Sequence, residues 1–270
     1  MTPGQDKVAR DLLTFYVEGG VDVGLDEMPV DRFADVTPAA PEPAVRKPAA
    51  AQLAREQRPV PATPAQAPPP PEEAVIGARA AAKSAPSLDE LRTIMNAFEG
   101  CALRTTARQL VFGDGNPDAR LMFVGEAPGS EEDQRGIPFV GRSGQLLDKM
   151  LAAIGVARSD VYIANIVPWR PPGNRDPATH ETQICLPFIQ RQIELVDPDV
   201  LVCLGKPSAA TLLGVTEGIR KARGRWFAYQ TGTREIRATA TFHPAYLLRT
   251  PIEKRFAWRD FMAIRKALAT

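Results

Sequence analysis

Four short apolar segments, each followed by a polar loop, are the feature that most constrains the fold of this 270-residue chain. They read RLMFVG at 120–125, DVYIANI at 160–166, DVLVCLG at 199–205 and EIRATATF at 235–242. Amphipathic stretches typical of helices lie between them. Strands that alternate with helices favour a parallel sheet covered on both faces, so the predicted fold class is α/β. Ligands of such sheets bind at the carboxyl ends of the strands.

The helices predicted around these strands share apolar residues at helical spacing. They occupy residues 87–98, 141–155, 180–196, 206–214 and 251–268. Ser87 is a candidate N-cap, and Gly155 is placed to end the second helix. The third helix is predicted to continue through its internal Pro187.

The rest of the chain differs sharply in composition. Residues 1–36 are predicted to form a short amphipathic helix, with apolar positions from Val8 to Val17, and a tail. Residues 37–86 are rich in Pro and Ala and predict a disordered linker, which leaves 87–270 as the folded domain. The N-terminal helix either folds back on the domain or binds a protein partner, and the sequence leaves both possibilities open.

Composition sets limits on the class of protein. No stretch reaches the roughly 18 apolar residues of a membrane span, and the N-terminus lacks the apolar core of a signal peptide. A cytoplasmic protein with no membrane partner is therefore expected. The three cysteines are widely separated, which argues against a disulfide framework. Residues 1–85 carry a net charge of −3 and residues 86–270 one of +4, which is compatible with nucleic acid binding.

Polar side chains follow three of the predicted strands. The first strand leads into GEAPGSEEDQRGIPFVGRSG, whose carboxylates would repel a bound phosphate, although Gly-rich loops often bind one. Asn165 ends the second strand, and His243 follows the fourth. Asn at a strand end is often only a turn residue, and a lone His often lies in the core or at the surface. Because all three features lie at carboxyl ends of parallel strands, we expect them to converge on one site.

These segments together resemble a known family. GEAPG, PFVGRSG, the Asn before RPPGNRDP, and HPAYLLR are similar to the motifs of the family 4 uracil-DNA glycosylases, over about Ser87 to Leu268. The resemblance implies a three-layer α/β/α fold with a four-stranded parallel sheet, preceded here by the N-terminal extension. It also implies a monofunctional base-excision repair enzyme, expected as a monomer, that flips uracil out of DNA and leaves an abasic site.

The resemblance assigns the base pocket to four positions. Phe139 would stack on the uracil ring, and Asn165 would hydrogen-bond its O4 and N3–H. Gly125 and Ala127, on either side of the first strand end, would complete the uracil-binding surface. Cytosine presents the reverse pattern of donors and acceptors, so a fixed amide would reject it.

Catalysis and DNA contact are implied at further positions. His243 would hydrogen-bond uracil O2 as the base leaves, and Glu126 would stabilise the oxocarbenium-like sugar and orient water, with Glu132 as the second candidate. Leu247, four residues past the histidine, would wedge into the base stack. The residues expected at phosphates are Arg249, Lys254 and Arg255.

The chain departs from the family at its iron–sulfur site. Most members of this family bind a [4Fe–4S] cluster through four cysteines, but Phe98 and Trp169 stand at two of those positions and only Cys101 and Cys185 remain. Cys203 lies in the third strand and is expected in the core. Two thiolates cannot hold such a cluster, so no cofactor is predicted and the two large side chains are expected to fill the volume. A labile metal held by the two cysteines and other donors is the alternative.

Two other functions compete with uracil excision. One is a glycosylase for other deaminated bases, and the other is a catalytically silent DNA-binding or scaffold protein of the same fold. The presence of Glu126, Phe139, Asn165 and His243 together argues against the silent protein, because a protein without catalysis has no need of all four side chains.

Overall fold

The structure is a computed structural model that describes residues 71–269. Its strands are β1 (Asp114–Gly115), β2 (Leu121–Gly125), β3 (Tyr162–Asn165), β4 (Val200–Leu204), β5 (Trp226–Gln230) and β6 (Glu235–Thr241). They form one sheet in the order β1-β3-β2-β4-β6-β5.

The four central strands are parallel, as predicted, but the sheet of this region has six strands rather than four. The two additional strands, β1 and β5, pair antiparallel at opposite edges. β1 is two residues long, too short to produce a sequence pattern. β5 lies at an open edge and most of its side chains are at least partly exposed, so it lacks the apolar run of a buried strand.

Helices connect the strands and cover the sheet. In chain order they are α1 (Pro71–Ser84), α2 (Leu88–Ala97), α3 (Leu103–Thr106), α4 (Ser130–Arg135), α5 (Arg142–Ala153), α6 (Thr179–Val196), α7 (Lys206–Leu213), α8 (Ile219–Ala222), α9 (Pro244–Arg249) and α10 (Lys254–Leu268). α6 runs through Pro187 without a break, as the sequence predicted.

The core lies on both faces of the sheet. Along β2, Met122 and Val124 join a cluster with the buried side of α6, while Leu121 and Phe123 join a second cluster with α5 and α10. This alternation follows from the two-residue period of a strand. The predicted three-layer α/β/α arrangement is thereby confirmed.

Helix α1 corrects the predicted extent of the Pro/Ala-rich linker, which was expected to reach residue 86. The buried side of α1 carries three alanines at a spacing of four, Ala74, Ala78 and Ala82. This helix packs against α6. Arg191 of α6 donates two hydrogen bonds to the carbonyl of Ala85, of 3.0 and 2.8 Å. Ala is the best helix former, and its small side chain lets two helices approach closely, so a segment with little apolar bulk still folds.

The predicted helix at 8–17 and most of the linker lie outside the described residues. Among the helices of residues 71–269, none has the length and apolar character needed to cross a membrane.

Candidate active site

Two of the predicted site residues lie side by side at the carboxyl ends of neighbouring strands. Gly125 ends β2 and is paired in register with Asn165, which ends β3. A Cβ atom at Gly125 would lie 2.5 Å from Asn165 Oδ1 and 2.7 Å from Phe139 Cζ. Only glycine therefore leaves room for the amide and the ring to meet at this strand end.

The amide of Asn165 is buried without its full complement of hydrogen bonds. The residue is only 4% exposed, and no group within residues 71–269 donates to its Oδ1. Gln192 Oε1 is likewise buried without a partner in this part of the chain, but it lies within α6 rather than at a strand end. A buried acceptor without a donor costs free energy, so an unpaired oxygen at the ligand-binding edge of a sheet indicates a donor supplied by a ligand.

Phe139 and His243 meet beside this amide. Phe139 is 4% exposed, and its ring centroid lies 5.5 Å from that of His243, with the two planes tilted by 35°. The structure thus brings together the aromatic ring, the amide and the imidazole that the sequence predicted to converge.

A cleft of about 400 Å³ opens at the same edge of the sheet. Its lining includes four predicted site residues, Glu126, Ala127, His243 and Arg249. Phe139 and Asn165 do not line it. His243 lines the cleft and contacts the Phe139 ring, so the imidazole connects the open cleft with the buried ring.

The backbone fixes the position and the tautomer of His243. His243 follows β6. The last residue of this strand, Thr241, donates a 2.7 Å hydrogen bond to Asp260 of α10. The N–H of Ala245 donates to His243 Nδ1 at 3.1 Å, so Nδ1 is an acceptor and the proton is on Nε2. Burial lowers the pKa of His243 to about 4, with a smaller contribution from Arg249. The side chain is therefore a neutral N–H donor at neutral pH.

This low pKa makes stability depend on pH. Between pH 6.5 and about 4 the unfolded chain binds a proton that folded His243 does not, so the free energy of unfolding falls as the pH is lowered. Between about pH 7 and about pH 4.5 the free energy of unfolding of wild type decreases. Replacing His243 with Asn should make this decrease smaller by roughly 2–3 kcal/mol. Urea unfolding at the two pH values measures this difference.

The exposed His180 is the matched control for this measurement. The variant His180→Asn should lose stability on acidification as wild type does. An equal loss in wild type and in His243→Asn would contradict the assignment of a low pKa to His243.

Glu126 lies at the open end of the site, directly after β2. Its carboxyl is half-buried, and burial raises its pKa, with a smaller contribution from the negative charge of Asp176. A carboxylate that is partly removed from water and faces the cleft is suited to stabilise a positive charge there.

Glu132, the second candidate for catalysis, is placed differently. Its Oε1 accepts hydrogen bonds from the backbone N–H groups of Val140 and Gly141, at 3.0 and 2.9 Å. The residue is buried and does not line the cleft. Its carboxylate is therefore used to hold a loop, and the structure does not support the expected role in catalysis.

The expectation for Leu247 does not fit its placement either. Leu247 is fully buried and packs with Phe242 and Ala257, whereas its neighbour Leu248 is 36% exposed beside Arg249. The expectation followed the spacing from the histidine, but successive residues on a helix differ in direction by about 100°, so only one of the two leucines can face outward.

The three cations expected at phosphates are not brought together. Arg249 lines the cleft. Lys254 and Arg255 instead border a separate surface depression between α5 and α10. Of the three, only Arg249 adjoins the candidate site.

The residues at the expected iron–sulfur site do not fit a cluster. Cys101 and Cys185 are buried with their sulfurs 3.9 Å apart, and Trp169 shares their apolar core cluster. The ring of Phe98 reaches over Gly100 and packs edge-on against Phe188, with centroids 5.0 Å apart.

In the described part of the chain, no third ligand complements the two sulfurs. Within residues 71–269 no group of three or more His, Cys, Asp or Glu side chains could hold a metal ion. Glu181 is an acidic group close to both cysteines, but Arg175 and the N–H of Ala178 bind its carboxylate. The donor set therefore supports neither a [4Fe–4S] cluster nor the alternative metal site.

Several residues of the cleft were missed from the sequence. Among them, Asp176, Lys206 and Tyr246 line it. Lys206 is separated from the end of β4 by a single glycine, so its position near a strand end was a usable signal. Asp176 belongs to the RPPGNRDP segment, which was recognised without a role for its charges, and Tyr246 lies within HPAYLLR.

Comparison with known proteins agrees with this geometry. Residues 112–262 match the profile of the Uracil DNA glycosylase superfamily. The chain is 38% identical over 182 residues to the type-4 uracil-DNA glycosylase of Archaeoglobus fulgidus, covering 66% of this chain and 92% of that protein. It is 45% identical over 150 residues to the enzyme of the same name from Thermotoga maritima, covering 55% and 77% of the two chains. The chain therefore belongs to the uracil DNA glycosylase superfamily, and within it to the type-4 family.

Proposed function

We propose that this protein removes uracil from DNA by hydrolysing its N-glycosidic bond, which leaves an abasic site. The observation that carries the proposal is the buried, unpaired Oδ1 of Asn165 beside the ring of Phe139. Uracil offers an N3–H donor next to the O4 acceptor, which matches the two ends of an amide. Cytosine has no hydrogen on N3, so it would leave Oδ1 unpaired.

The remaining residues support the chemistry of the departing base. The glycosidic bond breaks with its electron pair going to uracil N1, so negative charge spreads onto O2. His243 is neutral and carries its proton on Nε2, so it can donate a hydrogen bond to that oxygen and remain neutral. The carboxylate of Glu126 faces the cleft, where it can stabilise the oxocarbenium-like sugar and orient the attacking water.

The proposed reaction uses no cofactor. Each step assigned above is carried by a side chain at the carboxyl edge of the sheet, and Phe98 and Trp169 offer no ligand for a metal. We accordingly propose that the folded protein excises uracil without bound iron.

Other deaminated bases are the alternative substrates that the amide itself suggests. Hypoxanthine presents an N1–H beside its O6, the same pair of groups as uracil, but on a larger, two-ring base. A single amide does not separate the two bases, so their relative rates depend on how much room the pocket gives the second ring.

Excision from a labelled oligonucleotide tests the proposal. Strands carrying a single uracil, hypoxanthine, cytosine or thymine are incubated with the protein, and alkali then cleaves any abasic site. We expect cleavage of the uracil strand and no cleavage at cytosine or thymine. Cleavage only at hypoxanthine would move the assignment to other deaminated bases, and a folded protein that binds DNA but cleaves nothing would favour the silent DNA-binding protein.

Leu248 is the side chain that we propose as the wedge in the base stack. Leu248→Ala should lower excision from duplex DNA about tenfold, leave single-stranded DNA almost unaffected, and leave the unfolding temperature unchanged. Leu247→Ala is the matched control, because loss of a buried leucine should cost about 2–5 kcal/mol of stability. A duplex-specific loss in Leu247→Ala but not in Leu248→Ala would reverse the assignment.

A further inference from the structure

Phe139 has a backbone conformation that its residue type does not favour. Its φ angle is +53°, in the left-handed region, where a bulky side chain is strained. Among residues 71–269 the other non-glycine residues with positive φ are Asn174 and Asp197, whose short polar side chains tolerate this region. The conformation of Phe139 must therefore be imposed by its surroundings.

Arg158 holds the peptide groups of this residue from one side. Its Nη2 donates to the carbonyl of Pro138 at 2.7 Å, and its Nη1 donates to the carbonyl of Phe139 at 3.1 Å. The guanidinium is itself fixed by Asp114, which accepts from Nε at 2.8 Å, and by Asp148, which accepts from Nη1 at 2.9 Å. One side chain thus connects two successive carbonyls to two carboxylates.

Glu132 holds the same segment from the other side, through the N–H groups of Val140 and Gly141. The carbonyl of Phe139 and the N–H of Val140 belong to one peptide group, which is bound at both ends. The preceding peptide group is bound through the carbonyl of Pro138. The two peptide planes that define φ and ψ of Phe139 are therefore both fixed by side chains.

The first turn of α5 completes this support. A Cβ atom at Gly144 would lie 1.8 Å from the carbonyl oxygen of Phe139. Only glycine permits the helix to approach the clamped peptide so closely. With its backbone held in this way, the ring of Phe139 points at Gly125 and Asn165, where the base would stack.

From this arrangement we infer that Arg158 is a positioning residue for base excision, acting through Phe139; the inference rests on the proposed function. Arg158 lies in a short 3₁₀ turn before β3, and its role is to hold the Phe139 ring where uracil stacks. Lysine cannot replace it, because an ammonium group lacks the planar fork that reaches two carbonyls and two carboxylates at once.

Single-turnover excision at saturating protein tests the inference. Arg158→Ala should lower the rate about 10- to 100-fold, because a small displacement of a positioned group has effects of that order. Affinity for a strand carrying 2′-fluorinated deoxyuridine, which resists cleavage, should change less than about threefold, because phosphate contacts supply most of the affinity. Arg158→Lys should also be slow, and it keeps the charge in case the alanine variant does not fold.

The double variant with Phe139→Ala separates positioning from general stability. If Arg158 acts through the ring, its replacement should have almost no further effect on the rate once the ring is gone. Arg191→Ala is the matched control, because Arg191 is similarly buried, donates two hydrogen bonds to a carbonyl and pairs with a carboxylate. It should lower the unfolding temperature without a comparable loss of rate.

Two results would overturn the inference. One is an equal loss of rate on replacing Arg158 in the presence and absence of the Phe139 ring. The other is an Arg158→Lys variant as fast as wild type. Both require a wild-type protein that excises uracil, so failure of the proposed function would appear separately, as no uracil excision by wild type.

Discussion

Replacing Asn165 with alanine is expected to slow the single-turnover excision of uracil by about 1,000-fold. The change removes the buried amide that would accept from uracil N3–H and donate to O4. A flipped uracil would then enter a pocket that binds neither group. Affinity for DNA should change little, because the amide does not line the open cleft.

The same substitution should not destabilise the protein. Asn165 Oδ1 is buried without a donor within residues 71–269, so its removal eliminates an uncompensated desolvation cost. We expect the unfolding temperature of Asn165→Ala to equal or exceed that of wild type. A binding residue can lower stability while it supplies activity, whereas a core residue contributes to stability.

Two further variants make this result specific. Asn165→Asp keeps an acceptor but loses the donor and places a negative charge beside uracil O4, so it should be as slow as the alanine variant. Gln192→Met removes the other buried amide oxygen that has no donor within residues 71–269, and should leave the excision rate within about twofold because Gln192 lies away from the strand ends. Near wild-type excision by Asn165→Ala would contradict the proposed base pocket.

The parts of this site that could be predicted from the sequence are those that strand position determines. Gly125 and Asn165 end adjacent parallel strands and His243 closely follows a third, so recognising the strands was enough to bring them together. The supports of Phe139 could not be predicted in this way. Arg158 is 19 residues away from it, in a short 3₁₀ turn, and no local pattern connects a guanidinium to a distant loop.

The structure departs from the sequence expectations at several places, and each departure has a physical reason. The segment of α1 is predicted as linker because of its Pro- and Ala-rich composition, although its alanines pack on α6. β1 and β5 gave no pattern, one because of its length and the other because of its exposure. The choice between Leu247 and Leu248 depends on the rotation of α9, which is set by tertiary packing.

Replacing Trp169 with alanine is expected to cost about 3–5 kcal/mol of the free energy of unfolding. Trp169 is only 2% exposed and belongs to the largest fully buried side chains in the described part of the chain. It shares its core cluster with Cys101 and Cys185, so truncation would leave a cavity next to two thiols. Urea or thermal unfolding measures the loss.

Trp258 provides the matched control, because it is the same residue type but 48% exposed on α10. Trp258→Ala should change the free energy of unfolding by less than about 1 kcal/mol. Similar losses for the two variants would show that Trp169 is not the structural replacement that its burial indicates.

Iron analysis of the wild-type protein completes the experiment. If Trp169 and Phe98 fill the volume at the two positions where the resemblance implied cluster ligands, purified protein should contain far less than one iron atom per chain, and chelators should not change its unfolding temperature. A structural metal would give the opposite result, because its removal unfolds such sites. A large loss of unfolding free energy in Trp169→Ala, together with a wild-type unfolding temperature that chelators do not change, would mean that apolar packing stabilises this site in place of metal ligation. Stoichiometric iron in wild type would show that the two cysteines recruit other donors, and that the tryptophan packs against a metal site.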